Sequence, residues 1–270
     1  MSAERVRSLG SRERLLTELR QRGARGGVIQ PHRAMAHARF TTGRLVGMLL
    51  VPLALSAATV VALPLLARLW TWLFELARGP LGIPGEVAHH AVRIPPFLTV
   101  DFPYVTASAG IPSPTQWSIV GIICATALLI SVLLPSRWTP VAYALRLGTF
   151  VQLTAVVAFA LPGFAFPYVL SAYLLGFLQM GSILLVLAPL VLGMVFFPFD
   201  IAMSRKIALT AMVVAHAAVL LPLQILLHAY LIFHLSLLVM PTMFFVFGLL
   251  VEIFAFVAFY GWGMSWRSAR

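Results

Sequence analysis

The chain has 270 residues, a formal net charge of +11, and 61% hydrophobic against 10% charged residues. A soluble domain carries roughly 25% charged residues, so that class is excluded and a membrane protein is expected. The single cysteine, Cys124, excludes an intrachain disulfide, a cysteine-based zinc site and an iron–sulfur cluster.

Residues 1–44 form a basic lead that holds ten of the nineteen Lys and Arg residues. Within it Leu15, Leu16 and Leu19 share one face of a short helix among arginines, and Gly23, Gly26, Gly27 and Pro31 end that pattern. A topology signal with a disordered tail is the plainer expectation, because the apolar face is three leucines wide. No aromatic residue precedes Phe40 and no recognition fold is visible, so nucleic acid is not an expected partner. The lead and the first apolar run are both too long for a cleavable signal peptide.

A spanning helix needs about 20 apolar residues. The first such run is 45–67, ending at Arg68. Residues 68–116 read as a Pro-rich outer loop. There Trp70, Trp72 and Phe74 suggest an interfacial belt, and 94–107 has enough β-branched and aromatic residues to pack back onto the helix ends as a cap. Five further spans fill 117–262, at 117–134, 147–166, 168–197, 207–233 and 237–260, and 263–270 is a short tail. The expected fold is an all-α polytopic bundle of about six transmembrane helices. Ala54, Ala58 and Ala62 on the first span, and Gly43 with Gly47, suit close helix contact, within the chain or with a second subunit.

Short basic loops resist translocation. Both termini cytoplasmic places sixteen of the nineteen basic residues on that side and leaves Arg68, Arg78 and Arg93 in the first outer loop. Near-exclusive use of Arg over Lys suggests a GC-rich bacterial genome, and hence a bacterial inner membrane.

Ionisable side chains inside a bilayer need a partner or a water-filled cavity. His216 lies about 13 Å from the cytoplasmic start of the fifth span and Glu252 about 12 Å from that end of the sixth, so a pair at equal depth is expected. Such a pair either fastens two helices or exchanges a proton as access alternates. Pro222 frees the carbonyl of Ala218 near His216, and Gln152 is placed to join from the third span. A second group, nearer the outer side, comprises Cys124, Gln179, Gln224 and His228. His228 and His234 are six residues apart and diverge around the helix, and Glu86, His89 and His90 lack the order of a zinc-peptidase motif, so no metal is expected. No cofactor is implied either.

Membrane transpeptidases of the exosortase kind use a Cys, an Arg and a His near the outer face. Here no Ser-Gly follows Cys124, and Arg146 falls at the cytoplasmic end of its span, so Cys124 reads as a packing residue. The six-span plan, Leu16-Thr17-Glu18-Leu19-Arg20 and Val251-Glu252-Ile253 resemble the membrane subunit of the twin-arginine translocase. That family's acidic residue in the fourth span has no counterpart in Val186 to Val191, and the resemblance is not adopted. Three classes follow. The first is a small transporter, or the transmembrane subunit of an export or assembly complex, using His216 and Glu252. The second is an intramembrane enzyme on a lipid-linked substrate, with Cys124, His228 and Gln224 meeting under the cap. The third is a scaffold. Membrane lipid and a protein partner or second copy are the expected partners; the substrate is not readable.

Overall fold

The computed structural model of the chain describes residues 42–94, 98–161, 169–196 and 202–265. The expectations for the basic lead, for the boundaries of the expected spans at 166–168 and 197, and for the last five residues lie outside them.

Helix α1 spans Thr42–Arg78, and a hairpin of β1 (Val87–Ile94) and β2 (Leu98–Val105) follows. Then come α2 (Pro114–Leu133), α3 (Thr139–Ala160), α4 (Leu170–Phe196) and α5 (Met203–Leu235). The sixth span, Leu237–Gly263, is composite. It opens with a 3-10 turn at Leu237–Val239 and one α turn at Met240–Thr242, passes through a π-helical stretch at Met243–Leu250, and ends as α6, Val251–Ser265. Among the described residues, six helices are long and apolar enough to cross a membrane. The chain is an integral multi-pass membrane protein with an all-α bundle, to which the hairpin is added.

Helix α1 does not stop at Arg68. Leu63, Ala67, Trp70 and Phe74 are buried at spacings of four, three and four residues, which is one helical face, while Arg68 points outward. Trp70 and Phe74 are therefore core residues rather than an interfacial belt, and only Trp72 of the three is exposed. Ala54 and Ala58 also face outward, so the close packing of α1 within the chain uses other residues. Pro52 sits against Gly193 of α4, where a Cβ would collide with its ring, and Gly181 of α4 is matched in the same way to Leu221 of α5.

The third span also starts earlier than its apolar run: α3 begins at Thr139 and carries Arg146 inside it. The guanidinium reaches back to the Ser131 carbonyl at 3.0 Å, an acceptor in the last turn of α2 that has no helical partner. Trp117 Nε1 donates to the Val156 carbonyl at 2.8 Å and ties the other end of the same helix pair.

The two ends of the described chain meet at one end of the bundle, where Gly47 faces Met203 and Gly263 faces Leu209. The opposite end carries the hairpin. Its strands pair antiparallel with Ala91 opposite Asp101, and Val100, Phe102 and Val105 are buried with Phe74 and Leu170. Arg78 fixes the entry to it by bonding Glu75 at 2.8 Å and the Gly85 carbonyl at 2.6 Å. Gly85 has φ 114° and its missing Cβ makes room for the Thr106 carbonyl, so only glycine fits there.

Burial is uneven. In α5, 56% of the most apolar window is buried; in α2 and in the sixth span the figure is 11%. The core is α1, α4 and α5, and α2 with α3 forms a helical hairpin at its side, joined to the rest through α3 and the start of the sixth span.

Candidate functional site

The expected His216–Glu252 pair is not formed. His216 is exposed and its ring packs edge-on against Phe259 at 5.2 Å, while Glu252 is half-buried and has no ion pair or hydrogen bond among the described residues. About two turns along the same interface, Gln224 meets the Phe247 carbonyl. Gly263 faces Leu209, so fifteen residues of α5 run beside sixteen of the sixth span, and His216 falls level with Phe256, one turn from Glu252. The expected depths differ because α5 begins at Met203 rather than 207 and the sixth span runs on to Gly263 rather than 260.

Gln152 does not join His216 either. Its amide is closed on both sides near the hairpin end, donating to the Leu238 carbonyl at 2.9 Å and accepting from Thr242 Oγ1 at 2.6 Å. The carbonyl freed by Pro222 is also taken. Trp70 Nε1, 148 residues away, donates to Ala218 O at 2.9 Å.

Gln224 and His228 stand one turn apart on α5, facing the π-helical stretch. His228 is fully buried; its Nδ1 lies 3.0 Å from Tyr173 Oη, and Phe177 covers it at 4.7 Å between ring centres. Gln224 donates from Nε2 to Phe247 O at 3.0 Å. Gln224 Oε1 and His228 Nε2 are buried without a partner among the described residues, and each such atom costs about 1–3 kcal/mol. This is a polar core inside an aromatic cage of Tyr173, Phe177 and Phe244. Gln179, further along α4, is half-buried and makes no hydrogen bond among the described residues.

Cys124 is elsewhere. It is buried in the wall of a cavity of about 630 Å³ between the α2–α3 hairpin and the sixth span, a cavity lined by neither His228 nor Gln224. The three residues of the enzyme reading are therefore not brought together, and no His, Asp or Glu among the described residues lines the cavity with the thiol. The cavity is a slot along the bundle. Its α2 side runs from Gln116 to Ala127, about 17 Å at 1.5 Å per residue, and its α3 side from Gln152 to Val141. Ile119, Ile123, Leu145 and Val246 make the walls apolar. Towards the hairpin end of the slot, Gln152 Oε1 accepts from Thr242 Oγ1.

The mouth differs. Gln116 Oε1 accepts the Ser113 N–H in a capping box, which leaves its amide nitrogen without an acceptor among the described residues. Ser236, at the turn into the sixth span, has φ 147° and ψ 175°, a backbone region that is essentially glycine's and costs about 1–3 kcal/mol for other residues. Its Oγ accepts weakly from Leu238 N–H at 3.4 Å, and its own proton has no acceptor among the described residues.

The slot was missed because it is a gap between elements. The sequence signal available for it was indirect: Gly148 and the small residues Ala127 and Ala144 recur where α2 and α3 face the sixth span. Comparison of the chain with protein-family models, with curated proteins and with solved structures finds no match, and function is argued from these two places alone.

Proposed function

We propose that the protein is a lipid-engaging membrane component, the transmembrane subunit of a transport, export or assembly system, that admits a hydrocarbon chain into the slot between α2, α3 and the sixth span. The slot itself carries this reading. At about 630 Å³ it lies within the range of roughly 300–1,000 Å³ for small-ligand sites. A partner's spanning helix, about 30 Å long and 10 Å wide, occupies about 2,400 Å³ and does not fit. The basic residues at the termini end favour a cytoplasmic position for that end in a bacterial inner membrane, with the hairpin outside.

The test fills the slot. A Cβ at Gly148 meets only Val246 Cγ2, at 3.9 Å, so the root of a larger side chain is tolerated and its bulk enters the slot. Gly148→Leu is expected to cut photolabelling of the purified protein by a diazirine-tagged alkyl lipid at least tenfold, with no fall in thermal stability. Labelling that persists at the wild-type level sinks the proposal.

A second reading concerns protein contacts. His216 is exposed on α5, and Glu252 is half-buried on the sixth span, which is poorly buried as a whole. Ionisable groups at membrane depth call for a partner, which favours a helix of another subunit over this face. A photoreactive amino acid at Phe254, exposed beside Glu252, is expected to give a protein crosslink in membranes that Glu252→Leu weakens several-fold. Lipid adducts alone argue against it.

A further inference from the structure

The slot reading leaves open which lipid is held, and the mouth bears on that. We infer that the guest is a single-chain amphiphile with an acceptor-rich anionic head, a carboxylate or a phosphate, bound head-up at Gln116 and Ser236 with its chain along α2. The inference rests on the slot being a lipid site and adds the chemistry of the head.

The mouth carries hydrogen-bond donors in excess of its acceptors. The amide nitrogen of Gln116 brings two N–H donors without acceptors, and the Ser236 hydroxyl brings one. Both residues line the slot, at the end where the Leu237 N–H is tied to the loop carbonyl of Gly110. No Asp or Glu lines the slot. A head offering only acceptors is satisfied by such a mouth, whereas an alcohol accepts one bond and leaves donors over. Ser236 is nine-tenths buried and holds a backbone conformation that glycine would adopt freely. What distinguishes serine from glycine at this position is the hydroxyl, carried by a residue that lines the slot. Below the mouth, the amide of Gln152 donates to Leu238 O and accepts from Thr242, and the polar side chain deeper along α3 is the single hydroxyl of Thr149. The length of the slot suits an extended chain lying parallel to the helices.

The experiment uses the full-length protein in mild detergent with diazirine-tagged hexadecanol as the label and three competitors: hexadecanol, hexadecanoate and hexadecyl phosphate. The anionic chains are expected to displace the label at least tenfold better than hexadecanol, because hydrogen bonds to a charged acceptor are the stronger kind. Whichever of hexadecanoate and hexadecyl phosphate displaces better identifies the head as carboxylate or phosphate. Ser236→Gly is expected to bring all three competitors within about threefold of one another while raising the melting temperature, since the backbone strain is relieved. Gln116→Leu is expected to reduce the preference as well. Equal displacement by all three chains in the wild type overturns the head-group inference and leaves the slot reading standing, and so does a preference that survives both substitutions. Failure of tagged hexadecanol to label the α2–α3 hairpin overturns both.

Discussion

Replacing Trp70 with alanine is expected to destabilise the protein by about 3–5 kcal/mol, the range for removing a buried indole or phenyl ring. The residue is fully buried between α1 and α5, and among the described residues it supplies the one side-chain hydrogen bond to Ala218 O, the carbonyl that Pro222 frees. Two contributions are separable. Trp70→Phe keeps most of the ring and removes the donor, so it should cost about 1–3 kcal/mol for the stranded carbonyl. Pro222→Ala restores an N–H to that carbonyl. In a Pro222→Ala background the cost of Trp70→Phe is therefore expected to shrink to a few tenths of a kcal/mol, a coupling that a double-mutant cycle measures. Equilibrium unfolding in mixed detergent micelles reads all four proteins. Equal costs of Trp70→Phe in both backgrounds would show that the indole nitrogen contributes nothing to holding the kinked helix.

This contact illustrates what the sequence does and does not disclose. Pro222 announces a freed acceptor at Ala218 by a local rule, and the six spans announce themselves by length and apolarity, because both depend on neighbours along the chain. The donor comes from 148 residues away and obeys no local rule. Arg68 misleads in the opposite direction. A charged residue ends an apolar run, yet its long stem reaches outward from a helix whose buried face continues through Ala67, Trp70 and Phe74. The three-four spacing of those residues was present in the sequence and was the better guide. The hairpin was less visible, since Val87–Ile94 has two histidines at its centre and Leu98–Val105 carries Pro103, and a two-stranded unit gains its stability by packing on Phe74 and Leu170. The His216–Glu252 expectation failed for a geometric reason. The expected depths count from ends at 207 and 260, whereas α5 starts at Met203 and the sixth span runs to Gly263, which sets His216 and Glu252 one turn apart. Conversely, Gln224 and His228 were found as polar residues in an apolar helix; their cage, built by Tyr173 and Phe177 from α4, was not foreseeable from α5 alone.

The π-helical stretch bears on that cage through Gly248. In an exposed helical position Gly→Ala stabilises by roughly 0.5–1 kcal/mol, and Gly176 of α4, with nothing within 4 Å of an added Cβ, should follow that rule. Gly248 should reverse it. A Cβ there lies 2.6 Å from Phe177 Cε2 and 2.9 Å from Cζ, and the Phe177 ring is held between His228, Tyr173 and Phe244. The ring can retreat only by displacing His228 from Tyr173, so overpacking of about 1–3 kcal/mol is expected for Gly248→Ala. Shortening the obstacle should compensate: Phe177→Leu, itself destabilising by loss of contacts around His228, is expected to cost less in the Gly248→Ala background than in the wild type. Thermal unfolding in detergent measures the four variants, with Gly176→Ala as the control of opposite sign. Independent, additive effects of the two substitutions would mean that the ring moves aside freely, and the polar core would then be a looser structure than a cage. A negative coupling energy places the π stretch, Phe177 and His228 in one packed unit, in which a change at the last span is felt at the buried imidazole.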